Sequence, residues 1–125
     1  MKRVLIALLT LGFLCIVFLF YSDKDVVLVI INESKQESVF IEVFWDENKV
    51  FSDSVIQIKT FPGNKFNTSF GKHNLKIIAN GIVENQTVSV FFKKYIFIDY
   101  NGNPPEWNSE KPIFVVTEKN CFNYD

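Results

Sequence analysis

The chain offers few residues for chemistry, and their spacing sets what each can do. His73 is its one histidine. A lone histidine cannot share a zinc ion with a second one, and as a general base it needs a nucleophile and an orienting carboxylate beside it. No G-x-S-x-G or comparable setting surrounds a serine. His73 follows Gly71-Lys72 and reads as the entry to a strand. A second candidate is the segment from Asp99 to Glu110, where Asp99, Asn101 and Asn103 stand at positions 1, 3 and 5 and Glu110 at position 12. That is the ligand spacing of a calcium loop. Position 6 of such a loop requires glycine for a sharp turn and is Pro104 here, and the flanks alternate as strands do, not as helices. The segment therefore reads as an ordinary Asn-, Gly- and Pro-rich loop. Asp53, Glu84 and Asp99 are carboxylates from which an acid–base site could be built, provided the fold gathers them in one cleft. The expectation from these residues is no catalytic residue, no bound cofactor and no metal.

The elements that would position such residues begin with the N-terminus. Lys2 and Arg3 precede Val4–Tyr21, an uncharged run reading VLIALLTLGFLCIVFLFY. As a helix it is about 27 Å long at about 1.5 Å per residue, near the lower limit for a transmembrane span. Ser22-Asp23-Lys24-Asp25 then turns polar. Basic residues flank the cytoplasmic side of a span, so the remainder is expected outside the cytoplasm. Two other fates exist for such a segment. A cleaved signal peptide ends on small residues, and Phe18-Leu19-Phe20-Tyr21 is too bulky. A lipoprotein carries a small residue before its cysteine, and Leu14 precedes Cys15. Residues 1–25 thus read as an anchor or signal segment, and under all three fates residues 26–125 lie outside the cytoplasm. Cys15 sits in the apolar run and Cys121 near the other end, so the outer domain holds no internal disulfide.

Residues 26–125 read as strands. Val26–Ile31 is a continuous β-branched run, the pattern of a strand buried on both faces. Ser38–Trp45 puts Val39, Ile41, Val43 and Trp45 on one face, and the tight Asp46-Glu47-Asn48 connection makes a hairpin with Lys49–Ile58. Phe61-Pro62-Gly63-Asn64 is a turn and Phe66–Phe70 a short strand. His73–Ala79 aligns Leu75, Ile77 and Ala79, and Asn80-Gly81 supports positive φ in a turn. Gln86–Phe92 aligns Val88, Val90 and Phe92; Tyr95–Tyr100 is a further strand, with Ile113–Thr117 available as a last one. Short strands with frequent turns predict an all-β fold, a small antiparallel sandwich of about seven strands.

Gly71-Lys72-His73-Asn74-Leu75-Lys76-Ile77, then Asn80-Gly81 and Thr87-Val88-Ser89-Val90, resembles the G-x-H-x-L-x-V … G … T-V-x-V rhythm of PEGA-like and other immunoglobulin-like modules of bacterial cell surfaces. It departs from that rhythm at Ile82, where an aromatic residue is common, and at Phe70, where a proline is common. The resemblance implies an immunoglobulin-like binding or spacer module.

Composition narrows the partners. With Lys2 and Arg3 set apart, 11 of the 13 basic residues remain against 14 acidic ones, a net −3. Nucleic-acid binding needs a clustered basic surface; the longest basic run is Lys93-Lys94, read as a solvated turn. Asn32-Glu33-Ser34, Asn67-Thr68-Ser69 and Asn85-Gln86-Thr87 are N-glycosylation sequons, ordinary turn and strand residues if the chain is bacterial. Phe40, Phe44, Phe91, Tyr95 and Phe97 fall opposite the predicted core. If their strands share a sheet, these rings form one exposed patch for a partner. The expected function is a non-catalytic, membrane-anchored module that binds an envelope protein or serves envelope structure. A secreted ligand or adhesin, and a carboxylate-based enzyme, are the alternatives.

Overall fold

The uncharged run does form a helix, α1 (Lys2–Tyr21), in which no residue is buried. At about 1.5 Å per residue its 20 residues cover about 30 Å, the thickness of a bilayer's hydrocarbon core. The backbone N–H of Ser22 donates to the Phe18 carbonyl at 2.9 Å, and Ser22 is already extended, with ψ 138°. The chain passes from helix to strand across Ser22 and Asp23 alone. The computed structural model describes residues 1–57, 60–61, 64–102 and 112–120.

Beyond α1 the described chain is β structure. Its strands are β1 (Lys24–Asn32), β2 (Ser38–Trp45), β3 (Asn48–Ile56), β4 (Thr60–Phe61), β5 (Lys65–Thr68), β6 (Gly71–Ala79), β7 (Ile82–Val90), β8 (Lys94–Tyr100) and β9 (Phe114–Asn120). Eight have at least four residues, and the two-residue β4 is the ninth, against the seven or so expected. One sheet runs β4-β1-β8-β9, with β5 also on β1; the other runs β3-β2-β6-β7. The expectation of a wholly antiparallel sandwich is corrected at β1 and β8, which pair in parallel from Val26↔Lys94 to Asn32↔Tyr100. Both strands leave the α1 end of the domain, and the chain between them passes through the other sheet, so they meet pointing the same way.

The two sheets share one core. Val26, Leu28, Ile30, Ile96, Ile98, Tyr100 and Phe114 come from the first sheet. Val39, Ile41, Val43, Trp45, Phe51, Val55, Leu75, Ile77, Ala79, Val88 and Val90 come from the second. The period-2 alternation of β2, β6 and the end of β7 places these side chains inward as expected. In β1 alternate residues are buried and the others half-buried, so this strand is fully covered on one face only. Phe92, expected inward, is 47% exposed because β7 ends at Val90 and the chain has already turned out of the sheet. β7 also begins at Ile82, four residues earlier than predicted, because its first half is an edge segment with polar, exposed residues.

Two-residue turns join the hairpins. Asn80 and Gly81 have φ 49° and 76° between β6 and β7, the geometry that suits the right-handed twist of the strands. Asp46 and Glu47 take the same left-handed region between β2 and β3, at φ 47° and 69°, without a glycine. Such residues carry a conformational penalty of about 1 kcal/mol or more, so the surroundings must hold this turn.

Candidate functional site

What holds the β2–β3 turn is Asp46 itself. Its backbone N–H donates to the Asn74 carbonyl at 2.9 Å, and its Oδ1 accepts the Asn74 N–H at 2.8 Å. Its Oδ2 lies 2.5 Å from Nδ1 of His73. The other ring nitrogen, Nε2, lies 2.7 Å from the Ser69 carbonyl. His73 is buried, stacks on Trp45 with centroids 5.0 Å apart, and faces an acceptor at each nitrogen.

The residues next to His73 in the chain offer it no carboxylate partner. The structure supplies Asp46, from a turn 27 residues earlier. Thr68 completes what resembles a Thr–His–Asp arrangement, so its geometry decides what the cluster can do. The Thr68 hydroxyl is 3.4 Å from Nδ1 and 3.3 Å from Nε2, nearly equidistant, while each nitrogen has a shorter contact elsewhere. It also accepts the indole N–H of Trp45 at 2.8 Å. Nε2 is committed to the Ser69 carbonyl. A general base must be free to take the nucleophile's proton, and this ring is clamped. The cluster ties the β2–β3 turn to the β5–β6 turn across both sheets.

Burial disfavours the ionised Asp46 carboxyl. The hydrogen bonds from His73 and the Asn74 N–H, with the attraction of the ring, outweigh that effect and hold Asp46 below the usual aspartate value. A lowered folded value means that its stabilisation is fully present above about pH 4 and is lost as pH falls through the folded value. Asp46 is 44% exposed at its side chain, so solvent screening limits the effect to about 1 kcal/mol or less. Urea midpoints measured from about pH 5 down to about pH 2 should therefore fall less steeply in Asp46→Asn than in the unaltered chain. Equal slopes would remove the linkage.

At the opposite end of the sandwich a second polar cluster is buried. Asn32 has no exposed surface. Its Nδ2 donates to the Val55 carbonyl at 3.1 Å and the Gln36 carbonyl at 3.0 Å, while its Oδ1 accepts the N–H and hydroxyl of Ser34. Gln57 donates to the Ser34 carbonyl at 2.8 Å, and Asn80 links the Gln36 side chain to the Tyr100 hydroxyl. The amide of Asn32 in the sequon Asn32-Glu33-Ser34 is thus enclosed, with both its protons used. Asn67 and Asn85 are exposed.

The other singled-out residues do not converge. Asp53 lies on β3 and Glu84 on β7, the two opposite edges of one sheet, while Asp99 lies on β8 of the other. Three inter-strand steps of about 4.8 Å separate the two edges. Of the calcium spacing, Asp99 is part of a strand, and Asn101 is buried and donates its side-chain N–H to the Pro112 carbonyl at 2.9 Å. Asn103, Pro104 and Glu110 lie outside the described residues, as do Cys121 and the Pro62-Gly63 part of the predicted turn. Among the described residues no three His, Cys, Asp or Glu side chains are grouped to hold a metal ion. Cys15 is exposed on α1.

The single aromatic patch is also corrected. Phe40 and Phe44 stand on β2 and Tyr95 and Phe97 on β8, in different sheets, so the two pairs point out of opposite faces of the sandwich. Phe44 is further covered by Lys76 and Lys49, whose ammonium groups lie 4.5 and 5.7 Å from its centroid. Phe91 belongs to neither face and sits in the β7–β8 loop. Nor is Lys94 a solvated turn residue. It opens β8, is 8% exposed, and donates to the Ser89 carbonyl at 2.5 Å and to Glu118 at 2.9 Å.

Compared with known protein families and with curated proteins, the chain matches none.

Proposed function

We propose that this is a non-catalytic binding module of immunoglobulin-like type, anchored in a membrane by α1 and held outside the cytoplasm, where it engages another envelope protein. The observation that carries the reading is the passage from a 20-residue apolar helix with no buried residue into a sandwich strand across two residues. A helix with no protein around it finds its apolar surroundings in lipid. The immunoglobulin-like assignment is supported by the segment that resembles cell-surface modules. Its residues form one hairpin, β6–β7, in continuous register from Gly71↔Val90 to Ala79↔Ile82. A binding role is supported by the outer face of the β1–β8 pair, where Val27 lies beside Tyr95 and Val29 beside Phe97, all half-buried, with the Lys93 and Lys119 ammonium groups 5.3 and 5.4 Å from the Tyr95 and Phe97 ring centroids. Such apolar surface is the usual material of interaction sites.

Protease added to intact spheroplasts tests the orientation, and mass spectrometry of the mature protein tests the anchor. Digestion of residues 26–125 with α1 retained is the expected result. Protection until the membrane is opened would reverse the orientation. A mature N-terminus beyond Tyr21 would make the chain a secreted protein.

A further inference from the structure

The rings at the α1 end of the domain form a continuous series that starts on the helix. Phe20 of α1 meets Phe70 of the β5–β6 turn with centroids 4.5 Å apart, and Phe70 meets Phe91 of the β7–β8 loop at 5.0 Å. Beside them Tyr21 is 85% exposed, and Phe91 and Phe92 are 49% and 47% exposed. Strand directions place these loops together. β1 and β8 start at this end, β5 and β7 run into it, and β6 leaves it.

Depth follows from the helix. The uncharged part of α1, Val4–Tyr21, is about 27 Å long at about 1.5 Å per residue and needs all of that length to cover the hydrocarbon. Phe20 and Tyr21 therefore stand at the boundary between acyl chains and headgroups. Rings one and two van der Waals contacts away from Phe20 stand near the same level. The headgroup layer adds about 5–7 Å on each side of the core, enough to take in the tips of both loops. Aromatic side chains concentrate in that layer.

We propose that Phe70, Phe91 and Phe92 form a membrane-docking surface whose ligand is the headgroup layer of the bilayer that α1 crosses. The inference rests on the anchor reading above. Docking gives the domain a second attachment, so that it does not swivel on Ser22 and Asp23. It stands the strands upright and presents the polar end, with the β6–β7 turn, away from the lipid.

The test uses the full chain in phosphatidylcholine vesicles containing brominated phosphatidylcholine, which quenches tryptophan on contact. Phe91→Trp and Phe92→Trp probe the loop, and Val83→Trp serves as the control. Val83 is 51% exposed near the far end of β7, about 27 Å along the chain from Phe91. The unaltered chain, with Trp45 and Trp107, supplies the baseline. The expected result is that all variants float with the vesicles, that the tryptophan at 91, at 92 or at both loses most of its emission, and that the one at 83 stays at the baseline. Flotation with positions 91 and 92 quenched no more than 83 would overturn the docking and leave the anchor standing. Chains that do not float with vesicles would overturn both.

Discussion

Replacing Trp45 with alanine is expected to lower the stability of the β domain by about 3–5 kcal/mol, the range for truncating a large buried aromatic. Trp45 is 4% exposed and joins the two sheets at the α1 end. From β2 it donates its indole N–H to Thr68 and meets Phe66 edge-on at 5.2 Å, both on β5 of the other sheet. It also forms one wall of the His73 site. Alanine removes the packing, opens a cavity between the sheets and leaves the Asp46–His73 clamp without its apolar cover. A domain of this size has about 5–15 kcal/mol in total, so the loss is a large share. Trp45→Phe keeps most of the volume and loses the hydrogen bond, and should cost about 0.5–1.5 kcal/mol. Urea unfolding of the detergent-solubilised chain, followed by the β signal in circular dichroism, measures both. If the alanine variant loses no more than the phenylalanine variant, Trp45 does not join the sheets in the way described.

Asn32→Asp is expected to be the most disruptive near-isosteric change in the molecule at neutral pH. The Asn32 side chain makes four hydrogen bonds, donating two and accepting two. A carboxylate keeps the acceptor toward Ser34 but turns both donors into an oxygen facing the Val55 and Gln36 carbonyls. It also places a charge at a site with no exposed surface. A charge left buried without a partner typically costs about 3–5 kcal/mol. Protonation restores one donor, so the variant should regain stability as pH falls, the opposite slope to that contributed by Asp46. Asn32→Ala, which leaves the Ser34 N–H and the two carbonyls without this partner, should cost about 1–3 kcal/mol with no such pH dependence. Unfolding midpoints at neutral and acidic pH separate the two variants. An aspartate variant as stable as the native chain at neutral pH would contradict the burial of Asn32.

In the residue types and their alternation, the sequence already held the helix, the strands and the inward faces of β2 and β6. A run of uncharged residues from Val4 to Tyr21 has few alternatives to an exposed apolar helix, because its backbone polar groups are all satisfied within the segment. Val39, Ile41, Val43 and Trp45, and likewise Leu75, Ile77 and Ala79, lie inward because a strand's side chains alternate with period two. A register that exposed them would lose the burial of the whole set. Asn80-Gly81 marked its turn because those residue types tolerate positive φ.

Tertiary structure alone decided which strands become neighbours. Pairing depends on contacts between segments far apart in the chain, and nothing local in Val26–Ile31 or Tyr95–Tyr100 specifies that they run side by side and parallel. That one decision sent Phe40 and Phe97 to opposite faces and divided the aromatic patch. It also fixed which ends of the strands share a pole, and so brought Phe70 and Phe91 to the helix end at Phe20. The same holds for the polar groups. The types of His73, Asp46 and Asn32 are plain in the chain, but a hydrogen bond has direction and a range of about 3 Å. Only the folded arrangement of turns could show that Asp46 clamps His73 and that Asn32, placed in a sequon, is sealed inside.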